Sequence, residues 1–173
     1  MKRGATLVGA IVATMILSIS FIALLDLQAG IIKAKYNSQY DNTANLLMSE
    51  GLEIVRAIYE SNLNDTGTWN AGLADGIYRV DYKADIEAGL SNPASIVSNF
   101  VPDSSYALTP TVSGGYQLDP ASNILYRYIT VLNATDKITV TSTVIVNNPR
   151  LNNKTKIYSA NMELFNTFLN SAP

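Results

Sequence analysis

An uncharged apolar run near the N-terminus constrains this chain more than any other feature. No charged residue stands between Arg3 and Asp26, and the intervening residues are mostly Leu, Ile, Val, Ala, Met and Phe. As a helix with a rise of ~1.5 Å per residue, this run reaches roughly 33 Å, enough to cross a bilayer core of ~30 Å. Two cations precede the run and none directly follows it. The positive-inside rule therefore places the N-terminus in the cytoplasm and the rest of the chain outside.

The same run has two ordinary interpretations. A cleaved secretory signal usually has a shorter apolar core that ends at a small-residue site, and Leu27 to Gly30 is a weak candidate for that site. An uncleaved membrane anchor fits the length of the run but leaves the short basic leader unexplained. A third interpretation comes from the leader itself.

The residues KRGATLV resemble the signal of type IV prepilins, which has a short basic leader, a Gly at the cut and then an apolar helix. The resemblance implies that a prepilin peptidase cuts between Gly4 and Ala5 and methylates the new amine of Ala5. It also implies that the apolar helix stays on the mature protein, first as a membrane anchor and then as the segment that packs with other pilin subunits.

Two positions depart from the family pattern. Most members begin the mature chain with Phe and carry Glu as the fifth residue after the cut, whereas this chain has Ala5 and Gly9. In the family that Glu pairs with the N-terminal amine of a neighbour, because a buried ammonium is costly without a partner. Members without the Glu tend to be minor or tip subunits, although archaeal pilins often lack it as well. The resemblance therefore implies a pilin or pseudopilin, and it favours a minor subunit.

A second helical pattern follows the apolar run without any proline, and its second half is amphipathic. At ~100° per residue, Glu50, Glu53, Arg56 and Glu60 lie on one arc, which we predict to be exposed. On this arc Arg56 can pair with Glu53, three residues before it, and with Glu60, four residues after it. We predict one helix of roughly 55 residues, softest at Gly30, that ends where turn-forming residues crowd between positions 62 and 67. The opposite, apolar arc contains Leu47, Met48, Gly51, Leu52, Ile54, Val55, Ile58 and Tyr59.

The remainder predicts an antiparallel sheet. Alternating residues predict strands over 77–83, 115–118, 125–133, 137–147 and 154–164, and a short turn at 134–136 makes the third and fourth a hairpin. The predicted core faces of this hairpin are Leu125, Ile129 and Val131 on one strand and Ile138, Val140, Val144 and Val146 on the other.

Other parts of this region have weaker patterns. Residues 85–110 predict a long connection with a helical turn near 93–100. Trp69 is expected to pack under the sheet, and Phe165, Phe168 and Leu169 against its edge.

These assignments predict an α+β fold in which one long N-terminal helix packs against a C-terminal antiparallel β-sheet, as in pilins. The predicted parts are a leader (1–4), a transmembrane and assembly helix (5–26), an amphipathic stem helix (27–63) and a β-rich head (64–173). The expected location is the cytoplasmic (inner) membrane, crossed once with the N-terminus inside, before assembly into an extracytoplasmic or cell-surface filament.

Little in the sequence favours an enzyme. The chain has no Cys and no His, which removes the commonest nucleophile–base pairs and metal ligands. The oxygen cluster of Asp119, Ser122 and Asn123 has two interpretations, a solvated turn and a calcium site, and we favour the turn because the spacing does not match an EF-hand. No catalytic residue, cofactor or metal is predicted, and a net charge of −2 gives no reason to expect nucleic acid. The alternative to a filament subunit is an uncleaved single-pass membrane protein that carries an extracytoplasmic binding domain.

Overall fold

In the part of the chain that the structure describes, one long helix packs against a six-stranded antiparallel sheet. The computed structural model describes residues 3–64, 68–80, 90, 96, 101–111, 116–119, 121–122, 124–148 and 154–166, without the side chains of residues 3–6, 148 and 154. Its elements are α1 (Arg3–Asn64), β1 (Gly76–Tyr78), a 3-10 helix (Ser104–Tyr106), β2 (Ala107–Pro110), β3 (Tyr116–Leu118), β4 (Leu125–Asn133), β5 (Lys137–Asn148) and β6 (Lys154–Phe165). The predicted α+β fold, with a long N-terminal helix packed against a C-terminal antiparallel sheet, is confirmed.

Helix α1 is continuous over 62 residues. It passes Gly30 as regular helix, and it ends at Asn64, inside the stretch predicted to stop it. The continuity follows from the sequence, because no proline precedes Pro93 and a proline would remove a helical hydrogen bond. Two compact units divide the chain, Met1–Asn42 and Thr43–Pro173.

The sheet is built around β4. Its strand order is β3-β2-β4-β5-β6, and β1 also pairs with β4. Strand β2 pairs with the start of β4 (Leu108 opposite Leu125) and β1 with its second half. Strand β5 pairs with every residue of β4. The backbone N–H of Ala134 donates to the carbonyl of Lys137 at 2.8 Å, which closes the hairpin turn predicted at 134–136.

The core lies between the second half of α1 and the inner face of the sheet. Buried side chains from the helix, such as Val55 and Ile58, meet buried residues of β4 and β5. Full burial of a Val, Leu or Ile side chain contributes about 1.5–3 kcal/mol, so this interface holds the head together. Trp69 is 8% exposed and packs edge-on against Tyr59, with ring centroids 6.4 Å apart. The packing role predicted for Trp69 is confirmed.

Tertiary pairing corrects three predictions about the sheet. Strand β2 lies inside the segment predicted as a connection, because its partners β3 and β4 lie outside that segment. Strand β1 ends at Tyr78 instead of continuing, since the carbonyl of Val80 accepts hydrogen bonds from a buried side chain of β4. Phe165 ends β6 with 53% of its surface exposed, so it does not pack as predicted. Phe168, Leu169, residues 81–83 and nearly all of the helical turn predicted near 93–100 lie outside the described residues.

Candidate functional site

The N-terminal part of α1, here called the apolar half (residues 7–32), is the candidate functional site. All of its side chains are exposed, and its large hydrophobic side chains are each at least 48% exposed. A monomeric soluble protein rarely exposes a continuous apolar surface of this kind, so lipid or other protein must cover it. The exposed side chains are Leu7, Val8, Ile11, Val12, Met15, Ile16, Leu17, Ile19, Phe21, Ile22, Leu24, Leu25, Leu27, Ile31 and Ile32.

The apolar half meets the requirements of a membrane span. An 18-residue window in α1 has a mean hydropathy of 2.5, and the helix is long and apolar enough to cross a membrane. A helix satisfies its backbone polar groups internally, which lipid requires. This arrangement is compatible with single-pass membrane anchoring and with a membrane as a partner.

Hydroxyl groups in the apolar half are also satisfied within the helix. The hydroxyls of Thr14, Ser18 and Ser20 donate to the carbonyls of Ile11, Thr14 and Ile16 at 2.8, 2.8 and 2.9 Å. An unsatisfied hydroxyl would cost several kcal/mol in an apolar medium, typically about 4–8. These hydrogen bonds to the helix backbone therefore let polar side chains lie in lipid or in a helix bundle. The sequence shows that these hydroxyl groups are present, but only the helix geometry shows that each of them donates to a backbone carbonyl.

The predicted processing residues lie at the start of α1. Gly4 and Ala5 belong to the helix that begins at Arg3, and their side-chain surroundings lie outside the description. At Gly9, a built Cβ meets no heavy atom within 4 Å. No contact with a described residue therefore requires glycine at position 9, and a Cβ there would meet open space.

A buried arginine, which the sequence analysis missed, fixes the second half of α1 to the sheet. Arg127 is 0% exposed on β4. Its Nε and Nη2 donate to the carbonyl of Val80 at 3.2 and 2.7 Å, and its Nη1 donates to the carbonyl of Leu47 at 3.2 Å. Nη1 also lies 3.2 Å from the carboxylate of Glu50. A buried guanidinium is stable only when it is paired and hydrogen-bonded in this way.

This anchor corrects one assignment on the helix. Glu50 was placed on the exposed arc, but its side chain is only 32% exposed because it turns toward Arg127. The alternation of β4 carried a signal for the buried position, since residue 127 lies between the core-facing residues 125 and 129. Glu53 and Arg56, by contrast, form the predicted exposed pair at 3.3 Å.

The predicted oxygen cluster is a hydrogen-bonded turn. The carboxylate of Asp119 accepts from the backbone of Ala121 at 2.9 Å and from the hydroxyl of Thr109 at 3.3 Å. The hydroxyl of Ser122 donates to a carbonyl of β2, and Asn123 lies outside the described residues. Among the residues that are described, no group of three or more His, Cys, Asp or Glu side chains could hold a metal ion.

No protein-family model, curated protein or solved structure matches this chain. The resemblance to type IV prepilins therefore stays a prediction that depends on the residues of the leader and of α1.

The outer face of the sheet carries a shallow groove with a volume of about 340 Å³. The described residues that line the groove are mostly apolar and include no Asp, Glu, Lys or Arg side chain, so they offer packing and a few hydrogen bonds. It is lined by Val101, Pro102, Tyr126, Ile145, Asn147, Thr155 and Ile157.

Proposed function

We propose that this chain is a structural subunit, a pilin or pseudopilin, of a type IV pilus or type II secretion-like filament. One observation carries the proposal. The apolar half of α1 is exposed along its length, while the same helix continues as the core helix of the β-rich head. A helix divided in this way joins a folded head to an apolar segment that needs other molecules to cover it.

The mechanism is packing rather than catalysis. Lipid covers the apolar half before assembly, in the inner membrane with the N-terminus in the cytoplasm. Leaving the lipid requires equivalent apolar partners, and a bundle of sister helices supplies them, because lipid tails are about as apolar as Leu side chains. Residues 5–26 thus act as the anchor and then as the assembly segment, and the β-rich head forms the surface. A prepilin peptidase prepares the subunit by cutting between Gly4 and Ala5.

Intact mass and N-terminal sequencing of the protein from its native membranes test this proposal. We expect a chain that begins at Ala5 and carries one added methyl group. A Gly4→Phe variant should keep its leader and remain unmethylated. Gly30→Phe is the matched control, because a Cβ built at Gly30 meets no heavy atom within 4 Å, and it should be processed normally.

Other N-termini would refute the proposal. Retention of Met1 in the unaltered protein favours the second candidate, an uncleaved single-pass protein with an extracytoplasmic binding domain, and the groove on the head would then be its binding surface. A start near Ala29 or Gly30 would show that a secretory signal had been removed.

A further inference from the structure

A single acidic residue interrupts the apolar half of α1. Asp26 is exposed and lies between Leu25 and Leu27, which are 48% and 60% exposed. It forms no ion pair within the part of the chain that the structure describes. A carboxylate in such surroundings needs a cation once lipid or protein replaces water around it.

The complementary cation on the same helix face is too far along the chain to reach Asp26 directly. Lys33 lies seven residues after Asp26, and at ~100° per residue the two side chains differ in direction by only ~20°. Side chains meet along a helix at separations of three or four residues, whereas seven residues span ~10.5 Å. The two charges therefore match a pair formed between two helices rather than within one.

The face that carries both charges has the spacing of a coiled-coil seam. Its positions at alternating intervals of four and three, the heptad pattern of helices that pack in parallel, are apolar except for the two charges. The seam contains Val8, Val12, Met15, Ile19, Ile22, Asp26, Ala29 and Lys33. Since the pattern repeats every seven residues, one helix can shift by seven residues along its neighbour and keep the same side-chain packing.

The charges distinguish between these two registers. Without a shift, Asp26 of one helix faces Asp26 of the other and Lys33 faces Lys33, so both contacts are repulsive. With a shift of seven residues, Asp26 of one helix faces Lys33 of the next, which is attractive, and the other two charges face Tyr40 and Ile19 instead of a like charge. Like charges placed against one register in this way are a common source of specificity.

We propose that parallel copies of this chain pack through this seam with a stagger of seven residues, roughly 10.5 Å, paired by Asp26 of one copy and Lys33 of the next. The inference rests on the proposed function and specifies the neighbour, a second copy of this chain. Each copy offers Asp26 to one neighbour and Lys33 to the other, so the contact is heterologous and continues as a filament. Copies that pair in this way lie next to one another in the filament. A minor subunit, which the absence of Glu at position 9 favours, need not have a second copy beside it.

Disulfide crosslinking in native membranes tests the stagger, because the chain has no Cys. Met15 and Ile22 are seam residues seven apart, so the stagger brings position 15 of one copy opposite position 22 of the next. After oxidation, the Met15→Cys/Ile22→Cys double variant should give a ladder of multimers on a non-reducing gel. Each single variant should stay monomeric.

The other outcomes separate this inference from the proposed function. Dimers from the single variants would show an unshifted register and overturn the stagger. No ladder from a protein that begins at Ala5 and pellets as filaments would also overturn the stagger, but it would leave the proposed function standing. No ladder from a protein that retains Met1 would overturn both.

Charge exchange in the double-cysteine background tests the pair itself. Asp26→Lys should reduce the ladder at least tenfold, and adding Lys33→Asp should restore it. Lys35→Asp is the matched control, because Lys35 points ~160° away from Lys33 and should leave the ladder unchanged. A ladder that persists with Asp26→Lys, or that Lys33→Asp fails to restore, would overturn the role of the pair.

Discussion

Gly51 allows α1 to approach the sheet closely, and the nearest atom of the sheet to this position is the Oγ of Ser142. A Cβ built at Gly51 lies 2.6 Å from the Oγ of Ser142, 3.4 Å from the Cδ1 of Ile129 and 3.5 Å from the Cβ of Ser142. Only the first of these distances is a clash. The hydroxyl of Ser142 is buried and has no hydrogen-bond partner among the described residues, so removing it breaks no described hydrogen bond.

These distances predict that substitutions at the two positions are coupled. Gly51→Ala gains about 1 kcal/mol of helix propensity but forces an overpacked contact that typically costs about 1–3 kcal/mol. We therefore expect a net loss of about 0–2 kcal/mol in the free energy of unfolding. With Ser142→Ala in place, the remaining contacts are ordinary ones, and the same Gly51→Ala change should stabilise the head by about 1 kcal/mol. The coupling between the two changes is then about 1–3 kcal/mol.

Urea unfolding of the full chain in a mild detergent measures this coupling. Trp69 is the sole tryptophan and is 8% exposed, so its fluorescence reports the head. Ser159→Ala is the matched control, because Ser159 is exposed and lies on the opposite face of the sheet from Ser142. Changes at Gly51 and Ser159 should be additive. Additivity of Gly51→Ala and Ser142→Ala within about 0.5 kcal/mol would refute the argument.

Four further predictions concern polar contacts of the head and use the same unfolding assay. Arg127→Met leaves Glu50 and two carbonyl groups without their cation, and we expect a loss of about 3–5 kcal/mol. Glu50→Gln should cost less, because that side chain is 32% exposed. Tyr59→Phe removes a hydrogen bond of 2.7 Å to a carbonyl of β6 and should cost about 1 kcal/mol. The hydrogen bond and the charge of Glu163 raise the pKa of Lys137. Stability from this pair should be complete below the ordinary lysine pKa of about 10.4 and lost as pH rises through the raised folded value.

The predictions for Arg127, Glu50 and Lys137 each have a result that would contradict them. An Arg127→Met protein with an unchanged urea midpoint would show that the buried cation contributes no net stability. A loss from Glu50→Gln equal to that from Arg127→Met would place the whole effect in the ion pair rather than in the hydrogen bonds to carbonyls. A Lys137→Met variant should lose less stability than the unaltered protein above about pH 10, and parallel pH profiles would contradict the assigned pKa shift.

Much of the fold could be predicted because it depends on neighbours in sequence. The helix end at Asn64 and the turn at 134–136 follow from residues within a few positions. The candidate membrane span follows from composition and helix length alone. In each case the stabilising contacts lie within one helical turn, within one hairpin or with the surrounding medium.

The missed features depend on residues that are distant in sequence. Arg127 donates to the carbonyl of Leu47 across a separation of 80 residues, and no local pattern shows that carbonyl to be available. Strand β2 has weak alternation of its own, and its pairing with β3 and β4 makes it a strand. Pairing decides this segment because β2 lies between β3 and β4, and β-propensity alone is a weak guide to strand formation.

By itself, the sequence therefore determined one unbroken helix with an apolar half and an amphipathic half, followed by the β4–β5 hairpin, since periodicity and turn chemistry are local properties of the chain. The tertiary structure alone decided which polar residues could be buried. Arg127 lies in the core because the carbonyls of Val80 and Leu47 and the carboxylate of Glu50 meet there. A buried charge is stable only where partners from several elements converge, and that convergence exists only after the chain has folded.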